Sequence, residues 1–144
     1  MSGYLPSDVV ADRAEALLAE LVGAQALASD PAVWLASQPL PARALLQLDA
    51  FERVASSGGG LHLWASCPRP GLGAAFTWLE GAVLGHELVL VREVRALVEL
   101  ALQPGTAADR YTLSERYWEL ADDFQPVYER AAVEALGGAV VVAS

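Results

Sequence analysis

The stretch that decides the fold class is residues 86–102, HELVLVREVRALVELAL. Its apolar residues Leu90, Val94, Leu97 and Ala101 recur every three or four positions, which is the spacing of one helical face. Residues 88–91 alone would suit a strand, but the pattern continues for too long. We therefore predict a helix, and its narrow polar strip favours a position at the centre of the fold.

Helical spacing also dominates the rest of the chain, and we find no hairpin signals and no internal repeats. The pattern predicts a single compact all-α domain, residues 1–144, with about six to eight helices. The predicted helices cover residues 7–28, a short turn opened by Pro31, 42–56, 61–67, 74–84, 86–102 and 112–136.

Local signals predict how several of these helices begin and end. Ser7 suits an N-cap position, and Thr112 followed by Glu115 has the spacing of a capping box. Pro126 predicts a kink or a division in the last helical region, and a glycine pair at 137–138 predicts its end.

Composition excludes several classes of protein. The chain has 144 residues with 18 acidic against 9 basic side chains, a formal charge of −9. This balance argues against direct binding to nucleic acid or to anionic membranes, which need a positive surface. The single cysteine cannot form an internal disulfide. Glycines and prolines interrupt the longest stretch with few charges, residues 54–79, so it does not suit a membrane-spanning helix. We expect a cytoplasmic location.

The residues that could carry catalysis or bind a metal are few. The two histidines, His62 and His86, are too few for a zinc site, and Leu90 stands where an H-E-x-x-H motif needs its second histidine. Cys67 and His62 lack an orienting group for thiolate chemistry. The glycines at 58–60 follow a helix and precede no Lys-Ser/Thr, unlike a phosphate loop. We expect no enzyme and no cofactor.

The acidic residues are concentrated in two helical stripes. Residues 1–60 have seven acidic and three basic side chains, and residues 111–144 have six and two, so each segment carries −4 while residues 61–110 carry −1. Such stripes are usually solvated faces, but they also suit a basic partner. The candidate partner-binding residues are Asp8, Asp12, Glu15, Glu115, Glu119, Asp122 and Asp123.

Residues 51–66, FERVASSGGGLHLWAS, resemble the hallmark of the DNA-mimic protein family, a domain of unknown function. That hallmark is an acidic-apolar helix end, Asn-Gly-Gly-Phe, and then a Gln, an aromatic pair and an Asn. Gly58 and Gly59 match, and Trp64 fills the second aromatic position. Ser57, His62 and Ser66 replace the three amides, and Gly60 replaces the phenylalanine.

The resemblance extends over residues 40–136, with further similar segments at 79–95 and 116–124, and leaves residues 1–39 as a helical extension. It implies an all-helical fold. For the best understood kind of member, it also implies an acidic homodimer that imitates duplex DNA. Such a protein occupies a DNA-binding protein, for example a transcriptional regulator.

The leading hypothesis is therefore a non-enzymatic acidic protein that binds a basic protein, in its sharpest form as a DNA mimic. An immunity or antitoxin-type inhibitor would also be small, acidic and cytoplasmic. A small-ligand or enzymatic pocket near Gly58, His62, Trp64 and Cys67 is another alternative, and a purely structural domain is the last.

Overall fold

The described part of the chain, residues 7–66, 68, 70–103 and 110–136, forms seven α-helices and no strand in this computed structural model. The helices are α1 (Ser7–Leu27), α2 (Pro31–Ala36), α3 (Leu40–Ala55), α4 (Gly60–Ser66), α5 (Leu72–Ala82), α6 (Gly85–Leu102) and α7 (Arg110–Leu136). The predicted all-α class with six to eight helices is thereby confirmed.

The centre of the fold is α7, which packs against α1, α3, α4, α5 and α6. The predicted stripe on α6 is buried through Val91, Val94 and Leu97, but this helix packs against α4, α5 and α7 and leaves Val89 and Leu100 exposed. The prediction of a central α6 is wrong because a wide apolar stripe does not require neighbours on every side.

Phe51 connects α3 to three other helices in the core. Its ring makes edge-to-face contacts with Trp64 of α4 and Tyr117 of α7, both at 5.3 Å between ring centroids, and with Phe76 of α5 at 6.1 Å. Edge-to-face pairs of this kind add to the stabilisation that burial provides. Trp64 is 2% exposed, so its ring is part of this core.

Two helix starts have clear physical causes. Asp30 caps α2, since its Oδ1 accepts hydrogen bonds from the backbone N–H groups of Ala32 and Val33, and Pro31 is the first helical residue, as predicted. Gly60 begins α4 with φ +53°, a left-handed conformation that costs glycine little.

The start and middle of α7 differ from the prediction. The helix already begins at Arg110, so Thr112 is a helical residue and not the cap of a capping box. The helix also continues through Pro126 without division. Pro126 cannot donate to the carbonyl of Asp122, and both residues are exposed, so water can bond to that carbonyl instead. The predicted end at residues 137–138 lies outside the described residues.

Candidate functional site

The first acidic stripe lies on the solvent face of α1. Asp8, Asp12, Glu15 and Glu20 are all exposed, while the opposite face is buried. None of these four carboxylates forms an ion pair within the described part of the chain. No side chain of the described residues therefore neutralises them in a direct ion pair.

The second stripe, on α7, is divided by an arginine. Glu115, Asp122 and Asp123 are exposed and have no ion pair with any described residue. Glu119 instead accepts from Arg116, with 2.9 Å between Oε1 and Nη1, and Arg116 also holds Glu93 of α6 at 2.6 Å. One of the four predicted carboxylates on α7 is thus already neutralised.

A groove between α1, α3 and α7 brings together acidic residues that are far apart in sequence. Its volume is about 380 Å³, and its lining includes Glu15, Asp49 and Glu129. Arg53 also lines it and binds Asp49 at 2.7 Å. Of the predicted site residues, Glu15 is the one that contributes to this lining.

Glu129 is the most unusual group in the groove, because it is a carboxylate only 9% exposed. Its Oε2 accepts a hydrogen bond of 3.2 Å from Nε2 of Gln125, and it has no ion pair with a described residue. Burial raises the pKa of Glu129, and the negative charges of Asp49, Glu52 and Glu15 add to the rise. Glu129 is therefore a desolvated carboxylate that has no ion-pair partner among the described residues.

Two buried tyrosines, Tyr117 and Tyr128, interact with Glu52 and its acidic neighbours. The Tyr117 hydroxyl donates to Oε2 of Glu52 at 3.1 Å, and the Ser56 hydroxyl donates to the same oxygen. The Tyr128 hydroxyl is buried and has no hydrogen-bond partner in the part of the chain that the structure describes. Burial and the charge of Glu52 raise the pKa of both phenols, so both keep their protons at neutral pH.

Sequence reasoning missed Asp49, Glu52 and Glu129, because it looked for carboxylates on polar faces. The available signal was a charged residue within an apolar run, as at Glu129 among residues 127–133. Charged residues are seldom buried unless they are paired, so a buried one without a cation is a candidate for binding.

The residues of the family-like motif serve local structure. Ser57 and Ser66 donate to the carbonyls of Val54 and Leu63, and His62 is exposed. A cavity of about 240 Å³ beside Trp64 is lined by neither Gly58 nor His62. Cys67 lies outside the described residues.

Gly60, which departs from the motif, occupies a position where a side chain does not fit. A Cβ atom there would lie 2.6 Å from Oγ of Ser114, and the φ angle of +53° already disfavours other residues. The backbone in this chain therefore could not hold the phenylalanine that the family motif has at this point.

The chain was compared with protein-family models, with curated proteins and with solved structures, and none of them matches. The resemblance to the DNA-mimic family therefore stays a prediction. Among the described residues, no three histidine, cysteine or acidic side chains are grouped as a metal site would require. None of the helices in the described ranges has the length and apolar character to cross a membrane.

Proposed function

We propose that this protein is a non-enzymatic interaction protein that binds a basic protein through the carboxylates of α1 and α7. The observation that supports this is that, apart from Glu119, these carboxylates form no ion pair with a described residue. All acids of α5 and α6, namely Glu80, Glu87, Glu93 and Glu99, form ion pairs, whereas the four of α1 form none with described residues. Uncompensated charge of one sign steers an oppositely charged partner and favours its binding.

The DNA-mimic form of this proposal needs more than one stripe. Carboxylates four residues apart lie about 6 Å apart along a helix axis, whereas the phosphates of one DNA strand follow each other every 3.4 Å or so along the duplex axis. Two neighbouring stripes would approach that density, and α1 packs directly against α7. A homodimer would bring further stripes together.

The test is capture of partners from a native lysate at low salt, followed by affinity measurement with the partner identified. A DNA-binding protein captured repeatably, and displaced by duplex DNA, would support mimicry. We expect its affinity to fall at least about tenfold between low and physiological salt, because charge attraction is screened. An affinity insensitive to salt would contradict the proposal.

A matched pair of variants locates the binding surface. The triple variant Glu115→Arg, Glu119→Arg, Asp122→Arg should lose the partner. The control Glu80→Arg, Glu87→Arg, Glu99→Arg changes the net charge equally on α5 and α6 and should keep it, with folding of both checked by thermal unfolding. Unchanged binding by the first variant would sink the proposal. Capture of a toxin would favour an immunity role, and no capture would favour the ligand-binding or structural alternatives.

A further inference from the structure

We propose that a second groove, between α2, α3 and α5, binds the anion of a short aliphatic carboxylic acid, with its carboxylate on the guanidinium of Arg43. The described residues of its lining belong to these three helices and to Pro70 and Gly71 just before α5, and none belongs to α1 or α7. This α2–α3–α5 groove is therefore separate from the acidic surface of the proposed function.

The charge of the α2–α3–α5 groove is opposite to that of the whole chain. Arg43 is the only charged side chain that the described residues contribute to its lining, whereas the chain carries −9. Arg43 is partly buried and forms no ion pair with a described residue, although the chain has 18 acidic side chains against 9 basic ones. The groove thus offers a guanidinium that lacks the carboxylate it binds best.

Arg43 is also held in place with donors to spare. Its Nε donates to the carbonyl of Gln38 at 3.1 Å, in the connection between α2 and α3. Its terminal nitrogens, Nη1 and Nη2, have no hydrogen-bond acceptor within the described ranges. Gln47 lies four residues further along α3, on the same helical face, and its amide adds a second polar group to the lining. A guanidinium fixed in advance loses little freedom when it binds a carboxylate through two parallel hydrogen bonds.

The rest of the lining is aliphatic and favours a hydrocarbon chain. Among the described lining residues there is no aromatic ring, so a nucleotide or another flat ligand would find no side chain to stack on. Leu40 is 38% exposed there, and a bound chain would cover it. The volume of about 270 Å³ lies just below the range of drug-sized ligand sites, which suits a short chain. The aliphatic lining consists of Ala32, Leu35, Ala36, Leu40, Ala44, Pro70, Ala74 and Ala75.

The probe for this site is sodium octanoate, titrated into the full chain and followed by NMR chemical shifts. We expect saturable binding with Kd of roughly 0.1–1 mM, with the largest shifts at residues of the groove lining. Octanamide, which has the same chain without the charge, should bind at least about tenfold more weakly. Butanoate should also bind at least about tenfold more weakly, because its shorter chain covers less of the apolar wall.

Each comparison can overturn one part of the proposal. Equal binding of octanamide would show that Arg43 does not hold a carboxylate. Equal binding of butanoate, or of Nα-acetylglutamate amide, would show that the groove takes any carboxylate, such as an acidic side chain of another protein, and not an aliphatic acid. Shifts that spread over the surface without saturation would show that octanoate has no site.

A charge variant then assigns the carboxylate to Arg43. Arg43→Gln should weaken octanoate binding by at least about tenfold, while octanamide binding should change little. The control Arg92→Gln removes an exposed arginine of α6 outside the described lining, and it should leave octanoate binding unchanged. An equal loss in both variants would show that octanoate senses only net charge and would overturn the site.

A second variant tests the groove without touching Arg43. Ala74 is exposed and lines the groove, so Ala74→Leu should fill it and weaken octanoate binding by at least about tenfold. Ala96→Leu makes the same change at an exposed position of α6 outside the described lining and should have no effect on binding. Thermal unfolding checks that every variant is folded. Unchanged binding by a folded Ala74→Leu variant would overturn the location.

Discussion

The carboxylates of α6 and of α1 have opposite surroundings, although both helices are amphipathic. On α6, Glu87 meets Arg130 at 2.6 Å, Glu93 meets Arg116 at 2.6 Å, and Glu99 meets Arg95 at 3.4 Å. On α1, Asp8, Asp12, Glu15 and Glu20 have no such partner among the described residues.

The difference shows that the net charge of −9 does not tell which acidic side chains are neutralised by ion pairs. Three arginines pair with the acids of α6. Arg116 and Arg130 belong to α7, and Arg95 belongs to α6 itself. The acids of α1, and Glu129 in the groove, have no ion-pair partner among the described residues. A surface that the protein does not neutralise itself is available for a basic partner to neutralise.

The largest expected effect tests the contact between α4 and α7. Gly60→Ala should lower the free energy of unfolding by about 2–4 kcal/mol, because it combines a left-handed backbone with a contact to Ser114 that is too close. Thermal or urea unfolding measures this loss. The control is Gly58→Ala, where an added Cβ meets nothing within 4 Å, and a loss of similar size there would contradict the explanation.

The next largest effect concerns Glu129 in the groove, and here we expect a gain in stability where the previous variant loses it. Glu129→Gln should raise the free energy of unfolding at pH 7 by on the order of 1 kcal/mol, because it removes a desolvated charge while glutamine still accepts the bond from Gln125. Urea unfolding of both proteins measures the difference. A lower stability at pH 7 would mean that the charge of Glu129 is compensated.

The gain from Glu129→Gln should also depend on pH. The pKa of Glu129 is raised in the folded state, so the wild-type protein recovers stability as the pH falls through that folded value towards 4.5, the ordinary value. The gain should therefore be full above the folded pKa and vanish at acid pH. Glu15, Asp49, Glu52, Arg53 and Tyr128 surround this group in both proteins, so their titration largely cancels from the difference.

The smallest expected effect compares one acid of α6 with one acid of α1. Glu87→Gln should lower stability by about 0.5–1 kcal/mol, because it breaks a partly buried pair with Arg130 and removes a negative charge from the first turn of α6. Glu20→Gln, the same change on α1, should alter stability by less than about 0.5 kcal/mol. Thermal unfolding at low and high salt compares them, and equal losses would show that α1 also holds its acids in pairs.

Helix positions were largely predictable, because apolar spacing and local breakers act within a few residues. Pro31 and the glycines at 58–60 marked boundaries that the structure confirms. The capping box at Thr112 was wrong, and of the kink or division predicted at Pro126 the division is excluded, since α7 is one helix from Arg110 to Leu136. Pro126 lies on the exposed face of α7, where water can bond to the freed carbonyl, and no local pattern reveals that face.

The candidate site was only partly predictable. Glu15 belonged to a visible stripe, whereas Asp49 and Glu129 meet it only when three helices converge. Arg116 likewise removes Glu119 from the exposed charge, which a single helical face cannot predict.

The sequence by itself determined the all-α class, the approximate helices and the excess of acid, because periodicity, turn residues and composition are local or additive properties. Only the tertiary structure decided which acids are neutralised, that α7 and not α6 is central, and that a buried carboxylate lies in a groove. These outcomes depend on distances between side chains remote in sequence, and electrostatic energy and desolvation depend on those distances.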